Sequence, residues 1–378
     1  MILTSKLPDV GTTIFTVMSQ LAAEHNAINL SQGFPNFPID PKLREQLIEK
    51  AQSESHQYFP MGGHPELLDA LGKLIQKQYN RTLNPKEQIL VTAGATQALF
   101  TVIQALCGEG DEVIVLDPSY DSYGPSIRLA GAKDIHVDCI ESGLPDWEAI
   151  RASCSDQTRM IVTNNPHNPS GRVWSGEDMQ ELERLLLDYP NLILMSDEVY
   201  EFISFEQEFI SAHSLNSVLD RIITVSSFGK TFHVTGWKLG YLTASSELMT
   251  EIKKVHQFNV FCVNSLAQAT ITSYLKEVKV NELGAYYRGK RDRFRNFMKD
   301  SRFKLLPCDG TYFQLADYSA ISDLDDVSFC EDLITKHGVA AIPVSVFNQS
   351  GKDDRLIRFC FAKDEETIEK ACERLCKI

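Results

Sequence analysis

The chain has 378 residues, too many for one ordinary core, which points to a large domain joined to a smaller one. Apolar residues make up 43% and charged residues 23%, the balance of a soluble globular protein. With 37 basic and 51 acidic residues the net charge is −14, which disfavours nucleic acid and anionic lipid as general partners and leaves room for one local phosphate pocket.

Met1 to Gly11 has a single lysine and no apolar run, so it does not read as a secretory signal. No window approaches the roughly 20 apolar residues of a membrane span. The 9 cysteines are scattered, with no paired Cys-x-x-Cys sites for zinc, and a reducing cytoplasm is expected. Cys372 and Cys376, four apart on a predicted helix, read as half-buried thiols.

The segment before about Pro41 is loop-rich and too short to fold alone, so it is expected to pack on the second domain or a partner subunit. From about Leu67 to Leu242 short apolar runs alternate with helical patterns. Strands are predicted over 88–92, 112–116, 160–163, 192–196 and 221–226, with helices over 95–106 and 177–188. Such alternation predicts an α/β fold with a mostly parallel sheet covered on both faces. After about Val255 the pattern becomes α+β. A long helical stretch runs over 264–298, followed by strands over 310–316 and 356–361 and helices over 328–337 and 365–376. The expected division is 1–40, a segment packing on the small domain; 41–275, the large domain; and 276–378, the small domain.

In open α/β sheets ligands bind beyond the carboxyl ends of the strands. The first group at such an end is Gly94-Ala95-Thr96, either an anion site at a helix N-terminus or only a tight turn. Next comes Asp117-Pro118-Ser119-Tyr120, whose tyrosine can lie against a planar ring or simply pack in a surface turn. In Asn164-Asn165-Pro166-His167-Asn168-Pro169-Ser170-Gly171 two Asn-Pro steps constrain the loop and orient Asn168. A plain proline-rich turn is the alternative.

Asp197 ends the apolar run before Val199 and Tyr200, and a carboxylate there needs a cationic partner. A protonated ring nitrogen would serve; a helix N-cap is the rival reading. In the run from Ser226 to Gly240, Lys230 lies among small and hydroxylic residues, where an amine can lose its proton and attack an aldehyde. Ser227 and Lys238 offer a hydroxyl and a charge to a phosphate. Gly229-Lys230-Thr231 also resembles the tail of a nucleotide-binding loop, but that motif needs glycine where Thr224 stands. Finally, Arg358 interrupts the apolar Ile357–Phe361 strand and must meet an anion, either a bound carboxylate or an internal one.

Together these segments resemble the class I aminotransferases, pyridoxal-phosphate enzymes of fold type I, over about Thr13 to Lys377. The phrases Ser31-Gln32-Gly33-Phe34-Pro35-Asn36-Phe37 and Arg358-Phe359-Cys360-Phe361-Ala362-Lys363-Asp364 are similar to the branch holding bacterial methionine aminotransferases and kynurenine/glutamine transaminases. Thr92 to Thr96 and Asp117 to Tyr123 place it nearest the methionine enzymes.

The resemblance implies a seven-stranded sheet, pyridoxal 5'-phosphate bound covalently to Lys230, and ping-pong transfer of an amino group to a 2-oxo acid. It further implies that Lys230 shuttles a proton and Asp197 pairs with the ring nitrogen. Asn168 and Tyr200 would bond the ring's phenolic oxygen and Tyr120 stack on the ring. Gly94, Ala95, Thr96, Ser227 and Lys238 would hold the phosphate, with Tyr58 reaching it from the neighbouring subunit of a homodimer. Arg358 would clamp the substrate carboxylate, aided by Asn168 and the Gly33 backbone. Many class members have arginine where Lys238 stands, though the named branch uses lysine. No second arginine is placed to read an acidic side chain, which argues against an aspartate enzyme. Methionine or an aromatic amino acid is the expected donor, with Phe15, Tyr58, Phe258 and Phe261 as candidate pocket residues. The rival readings are a carbon–sulfur β-lyase on the same fold and a cofactor-binding sensor, for which Met1 to Asn29 leaves no room for a DNA-reading module.

Overall fold

A computed structural model describes residues 4–53, 56–140 and 143–378, so the start of the Met1 to Gly11 stretch lies outside the described residues. No helix among them is long and apolar enough to cross a membrane.

The strands in chain order are β1 (Ile28–Asn29), β2 (Ile89–Thr92), β3 (Glu112–Asp117), β4 (Lys133–Asp138), β5 (Thr158–Asn164), β6 (Ile193–Asp197), β7 (Ile222–Ser227), β8 (Gly240–Thr243), β9 (Lys304–Leu305), β10 (Phe313–Asp317), β11 (Val339–Ala340), β12 (Ile342–Pro343) and β13 (Leu356–Cys360). Seven of them form one sheet in the order β2-β8-β7-β6-β5-β3-β4. All neighbours are parallel except β8, which runs against both β2 and β7. Because β8 reverses twice, β2 points the same way as β3, β5, β6 and β7. Their carboxyl ends therefore share one edge, which carries Thr92, Asp117, Asn164, Asp197 and Ser227.

The apolar runs become strands because both faces are covered. Every residue of β2, β6, β7 and β8 is buried. On one face Val113, Val115, Met160, Val162, Ile193 and Val225 pack with Leu99, Val102 and Ile103 of the helix Ala95–Leu106. On the other, Ile114, Ile161 and Leu194 meet Leu182, Leu185 and Leu186 of the helix Gly176–Asp188. A reciprocal cap between Ser175 and Asp178 fixes where that helix starts.

A second core lies under the antiparallel sheet β12-β13-β10-β9. It joins Phe329, Leu333 and Ile334 with Ile368, Ala371 and Leu375, and takes in Met18 and Ala22 from the helix Ile14–Glu24. After that helix β1 pairs with β11, so the N-terminal segment is stitched into this second layer.

Two expectations need correction. The stretch 264–298 is not one helical run but the helices Ser265–Tyr274 and Leu283–Phe297. The first is buried almost all round, whereas the second buries only Tyr287 and Phe294, so the chain must turn between layers. The strand expected from 310 starts at Phe313, because Thr311 has a φ of 63° and Gly310 bridges to Ser204 instead.

Candidate active site

A cavity of about 180 Å³ opens at the shared strand edge, lined among others by Gly94, Tyr120, Asn168, Asp197, Lys230 and Lys238. Ala95, Thr96, Tyr200 and Ser227 also line it. Ten of the expected site residues thus meet at one place, although they come from six separate stretches of chain.

Each is placed by the strand that precedes it. After β2 the chain turns at Gly94, whose φ of 78° is a left-handed value that suits glycine. No side chain caps the helix Ala95–Leu106, so its first backbone amides remain free for an anion. Lys238 stands beside this turn: a Cβ on Gly94 would lie 3.6 Å from its Cε.

Asp197 ends β6 and is 4% exposed. Its Oδ2 accepts a hydrogen bond from Tyr123 Oη at 2.7 Å and its Oδ1 one from Val199 N at 3.3 Å. Burial raises its pKa to about 6, against the pull of the Tyr123 and Val199 bonds and of Lys230. The rival reading, a helix N-cap, does not hold, since no helix starts there.

Lys230 follows β7 on the short helix Phe228–Thr231. Burial lowers its pKa to about 8, and the Arg358 charge pushes the same way. Its Nζ lies 3.5 Å from Gly33 O, which also accepts from Tyr312 Oη at 2.9 Å. A Cβ at Gly33 would come within 2.8 Å of the Phe313 ring, so the close approach of this loop requires glycine.

Arg358 is 1% exposed on β13. Its Nη1 donates to Asn168 Oδ1 at 2.7 Å and its Nη2 to Ser31 O at 3.2 Å, while the buried Nε has no partner among the described residues. No internal carboxylate forms an ion pair with it among those residues, so the internal salt bridge considered above is absent. The guanidinium centre sits 4.0 Å from the Phe313 ring, 5.4 Å from Phe15 and 5.6 Å from Phe347. Asp121 acts on it only through space, and a buried cation with no contacting carboxylate and a fork still open is a site for an anion.

Three expected pocket residues are not at this cavity. Tyr58, Phe258 and Phe261 are 78%, 88% and 50% exposed, and Tyr58 packs edge-on to Phe261 at 5.4 Å. Phe258 and Phe261 flank the end of the helix Ser246–Asn259, and none of the three lines the cavity of its own chain. Phe15 alone of the four stands by Arg358.

Sequence reasoning gave no role to Tyr123, Asn164, Ser31, Tyr312 or Phe347. Asn164 Nδ2 donates to Asp197 O at 2.9 Å and its Oδ1 accepts from Asn168 N at 2.8 Å, joining two strand ends. Its signal was its place at the end of β5, beside Asp197 in register. Tyr123 had a weaker signal, three residues after Tyr120.

The profile described as "Aminotransferase class I and II" matches residues 25–375. A methionine aminotransferase of Escherichia coli (strain K12) is 46% identical, over 98% of this chain and 97% of its own. A kynurenine–oxoglutarate transaminase of Dictyostelium discoideum is 32% identical over 97% and 94%. The solved structure of YbdL from Escherichia coli, whose study identifies a methionine aminotransferase function, superposes with a TM-score of 0.97 at 45% identity, covering all of both chains.

Proposed function

The chain belongs to the class I and II aminotransferases, and on that premise we propose that its amino donor is methionine or an aromatic amino acid. It is a pyridoxal-phosphate-dependent enzyme that moves an amino group from an amino acid to a 2-oxo acid. The residues fit that cofactor. An acid lies in the same cavity as a reactive amine, and an uncapped helix end with Lys238 beside it suits the phosphate.

When bound, the cofactor supplies an aldehyde for amines and a ring that takes up electrons from a broken Cα–H bond. Lys230 would hold it covalently, then take the Cα proton on Nζ and return it. Asp197 would face the ring nitrogen, Asn168 and Tyr200 the phenolic oxygen, and Tyr120 the ring face. Gly94, Ala95, Thr96, Ser227 and Lys238 would take the phosphate. Arg358 would bind the substrate carboxylate with Asn168 and Gly33, which fixes the Cα–H direction. The observation that carries this reading is Arg358, buried with no carboxylate in contact among the described residues. Phe15, Phe313 and Phe347 around it favour an uncharged side chain.

A panel of donors against several 2-oxo acids tests this. Methionine and phenylalanine should turn over faster than aspartate, and only with an acceptor present. Release of ammonia and pyruvate from a cysteine conjugate without acceptor would support the β-lyase instead, which the transaminase relatives do not favour.

A homodimer is part of the proposal, with Tyr58 reaching the phosphate of the neighbouring subunit. Its support is the exposed aromatic group Tyr58, Phe258 and Phe261. Light scattering should give twice the 42.5 kDa of one chain, and a monomer at working concentration would contradict it. Nine free cysteines support a reducing, cytoplasmic setting. The division at 41 and 276 stays part of the same reading.

A further inference from the structure

Tyr123 opens the helix Tyr123–Leu129 and is 2% exposed. Its ring meets Tyr120 edge-on at 5.7 Å, and Tyr120 Oη in turn lies 3.2 Å from Thr96 Oγ1. Its hydroxyl donates to Asp197 Oδ2 at 2.7 Å. The titratable groups that act on Asp197 are Lys230, Tyr120, Tyr123 and Tyr200, and only Lys230 is cationic. Among these Tyr123 is the side chain that donates directly to the carboxylate.

An acid facing an aromatic nitrogen shares one proton with it, and the more basic partner keeps it. Burial makes Asp197 more basic, which draws the proton away from the ring. A hydroxyl donated to the charged carboxylate works the other way, because it stabilises the anion and not the neutral acid. We propose that Tyr123 is a positioning residue that acts through Asp197 to keep the shared proton on the nitrogen of the cofactor ring. This rests on the reading of Asp197 as the ring-nitrogen partner. Together with Val199 N on Oδ1, the Tyr123 hydroxyl on Oδ2 fixes the orientation of the carboxylate.

The test titrates the visible absorption band of the holoenzyme against pH. A positively charged ring makes the nitrogen joining it to Lys230 lose its proton more readily. Tyr123→Phe keeps the ring and its contact with Tyr120 but removes the donor. The midpoint should rise by roughly one pH unit. Tyr123→Met, a second variant without a donor, should move it the same way. A folded, cofactor-loaded Tyr123→Phe or Tyr123→Met protein with the wild-type midpoint overturns the proposal. Asp197→Asn separates the two readings. If it raises the midpoint while the Tyr123 variants do not, Tyr123 fails and Asp197 stands. If none of the variants moves it, the assignment of Asp197 fails as well.

Discussion

Replacing Lys230 with alanine is expected to abolish the visible chromophore and lower turnover by on the order of 10⁴-fold or more, while the protein still folds. The fold survives because little depends on the amine. Its one hydrogen bond, to Gly33 O, is long, and that carbonyl keeps the Tyr312 hydroxyl as a donor. Turnover cannot survive, because no other lysine of the cavity sits at a strand end facing Asp197; Lys238 stands beside Gly94 at the phosphate end. The amine also sets a pH dependence in cofactor-free protein. With a pKa of about 8, Lys230 is mostly protonated at pH 7 and mostly neutral at pH 9. Only the neutral amine attacks an aldehyde, so capture of added pyridoxal phosphate should speed up about five-fold from pH 7 to 8 and level off above 9. Stopped-flow absorbance checks this; a rate independent of pH over that range, or an active Lys230→Ala protein, would refute the assignment.

Arg358→Met is expected to reduce kcat/KM by roughly thirty-fold to several thousand-fold, the effect of removing one partner of a buried charged pair. The cofactor band should remain, since Arg358 meets Asn168 and Ser31 and not the phosphate end of the cavity. Arg358→Lys should lose less, because the charge persists but the bidentate fork does not. The same loss for aliphatic amines lacking a carboxylate would contradict the role, since such donors have nothing for Arg358 to hold. Steady-state kinetics on methionine and its decarboxylated analogue separate the outcomes.

The sheet was legible because burial on both faces writes itself as apolar runs, unbroken in Ile193 to Met195 and interrupted only by Thr224 in Ile222 to Val225. Polar residues ending those runs, Asp197 and Ser227, then had to lie at one edge. β4 escaped notice because it is an edge strand with mixed burial, from Lys133 to Asp138. Lys230, Asp197 and Arg358 could be read as chemically conspicuous residues in apolar or small-residue settings. Tyr123 could not: its partner lies 74 residues away, and a tyrosine in a helix gives no sign of which acid it will meet. Tyr58, Phe258 and Phe261 do not line the cavity of their own chain, and their sequence could not show this. Aromatic residues suggest a pocket, yet whether they line one or cover a surface depends on packing between distant elements. The turn between Ser265–Tyr274 and Leu283–Phe297 was hidden because 275–282 contains neither glycine nor proline.

The central claim is a covalent bond at one residue. Borohydride reduction of the purified holoenzyme, followed by proteolysis and peptide mass analysis, reads it directly. The account predicts the reduced cofactor on the peptide containing Lys230 and on no other. Label on a different lysine, or a protein that never acquires a chromophore when supplied with pyridoxal phosphate, would contradict it.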